Sequence, residues 1–451
     1  MSLTPAPAVP PPSEAQKPES EVVPAVGAEA EALSPTTPGL VERTRTSVHA
    51  APGDEPDGAT AAEPDAEPDA EPVETLVELP AGAGPFTTVD GILDAHAGVT
   101  GLLNLGSNRA SPDYVEGLLR AAQLPPLQAV PIRVFVMGVT TLCLKCNELG
   151  SLEGLEALVC LKSLDLSENL FEALSGHVLA ALVNLVDLDV SENKLASLPD
   201  ELGSLTKLES LSAFKNVLKA VPDTIGGCVS LRECNFFNNL LIKLPKSIGD
   251  CGKLEVLNIG GNKLKTIPAT DQWTSMRELK VQQNGLIVLP SFAPMAALQS
   301  LKLDFNKSLE KLPDFGDSYP DLEHVDVGNC NIETLPASMA HWPSLKTLNC
   351  SNNKIGALPP LKQATLEIFN CSSNLIRTLP VEMAQCSGMK TFFFSGNHIT
   401  AVQDEFAILA EAPNFSRMNV GAQKTPGLVL TPALAMLKKV CETRKGRFIG
   451  F

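Results

Sequence analysis

An asparagine returns every 21 to 24 residues through most of this chain, each time inside the frame L-x-x-L-x-L-x-x-N-x-L. The ladder runs through Asn147, Asn169, Asn193, Asn216, Asn239, Asn262, Asn284 and Asn306, accepts Cys330, and continues through Asn353, Asn374 and Asn397. Twelve rungs in phase leave one economical solution, a stack of short coils in which each rung contributes the same strand to one sheet.

In the rung Leu161 to Phe171, Leu164 and Leu166 are two residues apart, so in a short strand they point to one face while Ser163, Asp165 and Ser167 point to the other. A strand this short cannot bury its apolar side alone. Neighbouring rungs must therefore stack in parallel around a shared leucine interior, and eleven steps of about 4.8 Å make a sheet roughly 50 Å long. The asparagine sits where the chain turns, where its amide can satisfy backbone groups of adjacent coils that would otherwise be buried unpaired.

From the third rung an aliphatic residue and a proline follow each strand: Leu198-Pro199, Val221-Pro222, Leu244-Pro245, Ile267-Pro268, Leu289-Pro290, Leu312-Pro313, Leu335-Pro336, Leu358-Pro359 and Leu379-Pro380. Proline fixes φ and biases its predecessor towards extended geometry, which predicts a stiff corner and then a short helix or turn on the convex side. The eleven cysteines include a Cys143-x-x-Cys146 pair with metal or redox spacing. No second ligand pair accompanies it, and the frame places the others as packing residues: Cys228, Cys251 and Cys386 in a convex core column, Cys234, Cys350 and Cys371 at inward strand positions, and Cys330 in the ladder.

Residues 1–80 hold sixteen acidic and three basic side chains, a net −13 of the chain's −17, while the remainder is nearly balanced at 36 acidic against 32 basic. Rich in Pro and Ala and without an aromatic residue before Phe86, the segment 1–82 is expected to be a disordered acidic tail, either a spacer or a regulated binding segment. The opening residues lack the basic and apolar regions of a secretory signal, and no run reaches the length of a membrane span, so a cytoplasmic monomer is expected. Solenoid ends need caps. Residues 83–138 are expected to form one: Leu103, Leu105 and Asn108 make a degenerate rung, Ser111-Pro112 starts a helix, and Val115, Leu118, Leu119 and Ala122 give it an apolar face. Twelve repeats should then occupy 139–402. A C-terminal cap over 403–451 contains a worn rung at Phe415, Met418 and Val420, a helix opened by Thr431-Pro432, and a basic end at Arg444, Lys445 and Arg447.

The expected fold is an α/β solenoid, a horseshoe with a concave parallel sheet whose outward strand positions make the binding face. Between the inward pairs these positions read Cys143, Asp165, Asp189, Ser212, Asn235, Asn258, Lys280, Lys302, Asp326, Asn349, Asn370 and Phe393. After the second inward residue, two consecutive rungs carry Phe214 and Phe237, neighbours about 5 Å apart on an exposed face. A patch centred on Phe214, Asn235, Phe237 and Asn258, flanked by Lys280 and Lys302 and with Phe393 further along, is the candidate protein-binding site. The competing reading is that the two rings pack on each other and on Lys215. The six histidines are dispersed, with only His324 at a groove-facing position, and no phosphate loop is present. Neither catalysis nor a cofactor is expected, and the acidic balance argues against nucleic acid.

The spacing around Leu244-Pro245-Lys246-Ser247-Ile248-Gly249-Asp250-Cys251 resembles the intracellular Ras-group leucine-rich-repeat family over roughly 139–402. That resemblance implies a non-enzymatic interaction scaffold in signalling, with small GTPases or a kinase or phosphatase as partners. It leaves open a structural adaptor in a cytoskeletal or ciliary assembly. The C-terminal Arg447-Phe448-Ile449-Gly450-Phe451 is similar to docking peptides of protein phosphatase 1, which bind by strand addition and would need a flexible terminus; the alternative is that these aromatics fold back on the last coil.

Overall fold

The computed structural model describes residues 139–450 apart from 148, 153–154, 270, 291–294, 317–318 and 425–426, preceded by two short strands. The acidic tail and the helix expected from Ser111-Pro112, with its face Val115, Leu118, Leu119 and Ala122, lie outside the described residues. Sixteen strands form one open sheet in chain order, every neighbouring pair parallel. They are β1 (Val77–Glu78), β2 (Gly101–Asn104), β3 (Val139–Cys143), β4 (Ser163–Asp165), β5 (Asp187–Asp189), β6 (Ser210–Ser212), β7 (Glu233–Asn235) and β8 (Val256–Asn258). There follow β9 (Glu278–Lys280), β10 (Ser300–Lys302), β11 (His324–Asp326), β12 (Thr347–Asn349), β13 (Ile368–Asn370), β14 (Thr391–Phe393), β15 (Arg417–Asn419) and β16 (Arg447–Ile449).

The register aligns the frame residue by residue: Leu164 lies beside Leu188, Leu211 beside Cys234, and Leu279 beside Leu301. Leucines at the fourth and sixth positions of each coil are therefore stacked in columns and buried, and Cys234, Cys350 and Cys371 take their places without leaving the core. Each such side chain contributes roughly 1.5–3 kcal/mol of burial, gained only because the next coil covers it.

The ladder asparagines make the turn. Asn262 Nδ2 donates to the carbonyls of Phe236 in the preceding coil and of Ile259 and Gly260 in its own, while its Oδ1 accepts from Leu241 N at 3.0 Å. Asn169, Asn193, Asn216, Asn239, Asn353, Asn374 and Asn397 repeat the pattern. The residue before each rung's turn side chain is left-handed, with φ between 49° and 68° from Cys146 to Ala422. That conformation is uncommon outside glycine, and here each coil holds it in place. Cys330 supplies only the donor half, with Sγ bonded to Leu303 O and Gly328 O; the Leu309 N–H it leaves unserved turns to Asn306 O. The ladder also runs one rung further than the asparagine spacing shows. Gln423 accepts from Ile399 N and donates to Phe394 O and Val420 O.

On the convex side, Pro199, Pro222, Pro245, Pro336 and Pro380 stand with φ between −74° and −60° immediately before short 3-10 turns. These turns pack backbone against backbone: a Cβ on Gly227 would come within 2.2 Å of Gly203 O. The convex core column is also a donor column, since Cys228, Cys251 and Trp273 bond Leu202 O, Ile225 O and Ile248 O of the coils before them. The α-helices among the described residues are α1 (Gly176–Ala181) and α2 (Pro432–Thr443). Thr431 caps α2 through its hydroxyl to Leu434 N, as the Thr-Pro pair predicts, and Leu434, Leu437 and Cys441 bury against the final coil. Arg444 at its end is no free tail: its guanidinium donates to the carbonyls of Ala410, Ala412 and Phe415.

Candidate partner-binding face

The outward strand positions form three columns on one face, and the register fixes which side chains are neighbours. The central column is partly committed to the fold. Asp165, Asp189, Asn235, Asn258, Asp326, Asn349, Asn370 and Asn419 each accept, through Oδ1, the N–H two residues on. This N–H stands between two that bond the next coil, as Ser167 N does between Leu166 N to Asp189 O and Glu168 N to Ser191 O, so the side chain closes a gap that the ladder leaves. Asn235 and Asn258 thus have their carbonyl ends occupied, leaving the amide for a partner.

The column of caps is interrupted at Ser212, Lys280, Lys302 and Phe393, whose side chains make no such bond among the described residues. Phe214 follows Ser212 and is half-buried, as is Phe237 on the next coil. Of the expected ring contacts, only the one with Lys215 is present: its Nζ lies 5.7 Å from the Phe214 centroid and also pairs with Glu192 at 3.2 Å. Among the described residues the close ring pairs lie in the core, such as Phe369 with Phe392 at 5.6 Å.

Electrostatically the face is graded. Asp165, Asp187 and Asp189 crowd its first coils; burial raises the pKa of Asp187 and Asp189, and neighbouring carboxylates add to the rise. Lys145 and Glu168 pair at 2.9 Å beside them. The two lysines expected as a basic patch are compensated locally, because Lys280 pairs with Glu278 and Lys302 sits beside Asp304. Burial, reinforced by Asp326, pushes the Asp304 carboxyl up to about 6 against the opposing pull of its own backbone N–H and Lys302.

His324 is exposed with Nε2 3.7 Å from Glu323, while the nearby Asp326 carboxylate is engaged by Gly328 N and the Asn349 amide. Phe305 was not among the expected residues. It stands 45 % exposed at the left-handed position of the Asn306 coil, one residue past Asp304, where a ring is unusual enough to have been a signal.

The C-terminal segment departs from the docking-peptide expectation. Arg447–Ile449 is β16, paired in parallel with β15, Phe448 packs against the core, and Lys438 Nζ lies 5.7 Å from its ring. One backbone edge of this segment is therefore already in the sheet, and the other, at the end of the strand order, is open.

The cysteines are unpaired thiols. Burial raises the pKa of Cys228 to about 12 and those of Cys251 and Cys330 to about 11, which keeps them neutral and weakly nucleophilic. Cys143 is half-buried with Sγ 3.6 Å from Asp165 Oδ2, while Cys146 is exposed at a turn. No helix among the described residues is long and apolar enough to cross a membrane.

A leucine-rich-repeat family model matches residues 160–218, and a model of two leucine-rich-repeat copies matches 320–363. No curated protein sequence matches the chain. Among solved structures, a leucine-rich-repeat protein of Leptospira interrogans is similar with a TM-score of 0.56 and 23% identity, covering 81% of this chain and 99% of that one. The leucine-rich-repeat domain of APL1B gives 0.54 at 22% identity, covering 66% of this chain and 86% of that one. A chain of the Drosophila Toll and Spatzle complex gives 0.58 at 18% identity, covering 74% of this chain and 46% of that one. At such identities the likeness is one of fold, and the fold is the leucine-rich-repeat solenoid.

Proposed function

We propose that this leucine-rich-repeat protein is a non-enzymatic interaction scaffold that holds a protein partner on its concave face. The setting we favour is intracellular signalling, with a small GTPase, kinase or phosphatase as partner. The observation that carries the reading is the pair of half-buried rings Phe214 and Phe237 on adjacent coils of the concave face. Aromatic anchors dominate interface energies, and here the acidic side chains of β5 and the compensated lysines of β9 and β10 surround them as a polar rim. The unpaired thiols are consistent with a reducing compartment.

The test is affinity purification from the native cell using the intact chain and the Phe214→Ala/Phe237→Ala variant, with a thermal melt of each. Recovery of the specific partner should fall by roughly tenfold or more while the melting temperature moves by no more than about 3 °C. Equal recovery by the double variant overturns the site.

A further inference from the structure

The two sides of the sheet carry charge in opposite ways. Where the chain enters each strand, the second frame position forms a self-neutralising rim: Arg232 lies between Glu209 at 3.5 Å and Glu255 at 2.6 Å, and Glu255 also holds Arg277. Lys346 with Glu323 and Lys390 with Glu367, each at 2.7 Å, continue the arrangement.

The side where the chain leaves the strand is different. From Asn216 to Asn284 a second short ladder follows each ladder asparagine, with Val217 N bonded to Leu195 O, Leu240 N to Leu218 O, Lys263 N to Leu241 O and Gly285 N to Leu264 O, and it breaks after Asn306, where Leu309 N bonds Asn306 O. The leucine one residue further on, Leu218, Leu241, Leu264 or Leu286, is buried, so the residues on either side of it face outward together.

From Val217 to Val288 these outward positions, with the residue that follows them, hold four exposed lysines, Lys219, Lys243, Lys263 and Lys265, and the next coil adds exposed Lys307 and Lys311 around its buried Leu309. Among the described residues none of the six is in an ion pair, and Glu310 is the one acidic side chain at these outward positions. Standing between them are Val217, Ile242, Ile287 and Val288, which are 42%, 62%, 56% and 57% exposed. On a chain of net charge −17, an unpaired basic strip interleaved with protruding aliphatics calls for a specific counterpart.

We propose that this flank is a docking surface for an anionic lipid membrane. The lysine ammonium groups would lie on lipid phosphates and carboxylates while the tips of Ile242, Ile287 and Val288 enter the boundary between headgroups and acyl chains. A row of level coils roughly 20 Å long presents both kinds of group to a flat surface at once. A nucleic-acid backbone has no use for the aliphatics, and the strip lacks the aromatic stacking groups that serve single strands. A folded acidic protein would be expected to meet aromatic or pocket anchors rather than a level row. Screening confines the attraction to charges within about 8 Å, so the local strip, not the net charge, governs docking. This inference is independent of the concave-face reading.

The test is cosedimentation of the full chain with phosphatidylcholine vesicles, with and without phosphatidylserine, over a range of salt. Binding should require phosphatidylserine and fall as salt rises. Each lysine near an anionic surface is worth about fivefold, so Lys263→Glu/Lys265→Glu should lower partitioning by at least about tenfold. Ile287→Ser/Val288→Ser should lower it several-fold, and Lys346→Glu on the opposite rim should leave it unchanged. Melting curves establish that each variant is folded; if the charge reversal unfolds the chain, the aliphatic variant and the wild-type salt dependence decide. The proposal is overturned by a lack of phosphatidylserine-dependent binding, by an unaffected aliphatic variant, or by an equal loss from Lys346→Glu. It is also overturned if a poly-glutamate peptide binds the flank under conditions where the vesicles do not.

Discussion

Asn262 and Asn258 lie four residues apart in one coil and have opposite duties. Asn262, at the turn, is buried and makes four hydrogen bonds that tie two coils together. Asn258, in the groove column, is half-buried and makes one, at 3.3 Å to Gly260 N within its own coil. The contrast recurs in most coils: turn asparagines use both ends of the amide, whereas Asn235, Asn258 and Asn370 in the groove column use the oxygen and display the amino end; Asn349, whose amide also bonds Asp326, and the turn residue Cys330 are the exceptions. Residue type alone does not separate structure from function in such a repeat; the number of buried partners does.

That comparison is easiest to break by removing its structural half. Asn262→Ala should lower stability by about 2 kcal/mol in urea titration, because it leaves the buried Leu241 N without its acceptor and takes one of two amide donors from each of the carbonyls of Phe236 and Ile259, which keep Asn239 and Asn284. A loss below about 1 kcal/mol would mean that the turn relaxes without its amide. Cys330→Ala should cost less, about 1.5 kcal/mol, since the thiol is only a weak donor and Leu309 N is already served by Asn306 O.

The groove half offers a titration. The Asp304 carboxyl is raised to about 6 in the folded chain, above its ordinary value of 3.8, so the folded state binds the proton more tightly than the unfolded one. Its contribution is therefore fully favourable below about pH 4 and is lost as pH rises through about 6. Asp304→Asn should flatten that part of the stability profile and raise stability at pH 7 by about 1 kcal/mol, after allowing for partial solvent screening. An unchanged profile would remove Asp304 as its source. The smallest effect should come from Asn258→Ala, at about 0.5 kcal/mol, and a cost matching that of Asn262→Ala would abolish the distinction between the columns.

What was legible in the sequence follows the same division. The turn asparagines, the inward leucines, the proline corners and the convex cysteine column all repeat with the coil, so periodicity exposes them. Gln423 escaped because the rung it closes comes 26 residues after Asn397 and changes side chain, although its amide does the same work. Phe214 and Phe237 were visible as aromatic breaks in a polar column. The pairing of Lys280 with Glu278, the carbonyl engagement of Asn235 and the placing of Arg447–Ile449 in the sheet depend on rotamers and neighbours that a period does not specify. The unpaired lysines beyond the turn are plain in the sequence as residues, but only the second ladder there shows that they share one surface.

The most direct test of the division between a fixed turn and an open groove is residue-resolved amide hydrogen exchange on the intact chain under native conditions. Leu218, Leu241 and Leu264, whose N–H groups are held by Asn239, Asn262 and Asn284, should exchange only through large-scale unfolding. Phe214 and Gln282, whose coils lack the side-chain cap, should exchange fastest along the face. Equal protection at both sets, or faster exchange at the leucines, would contradict the account.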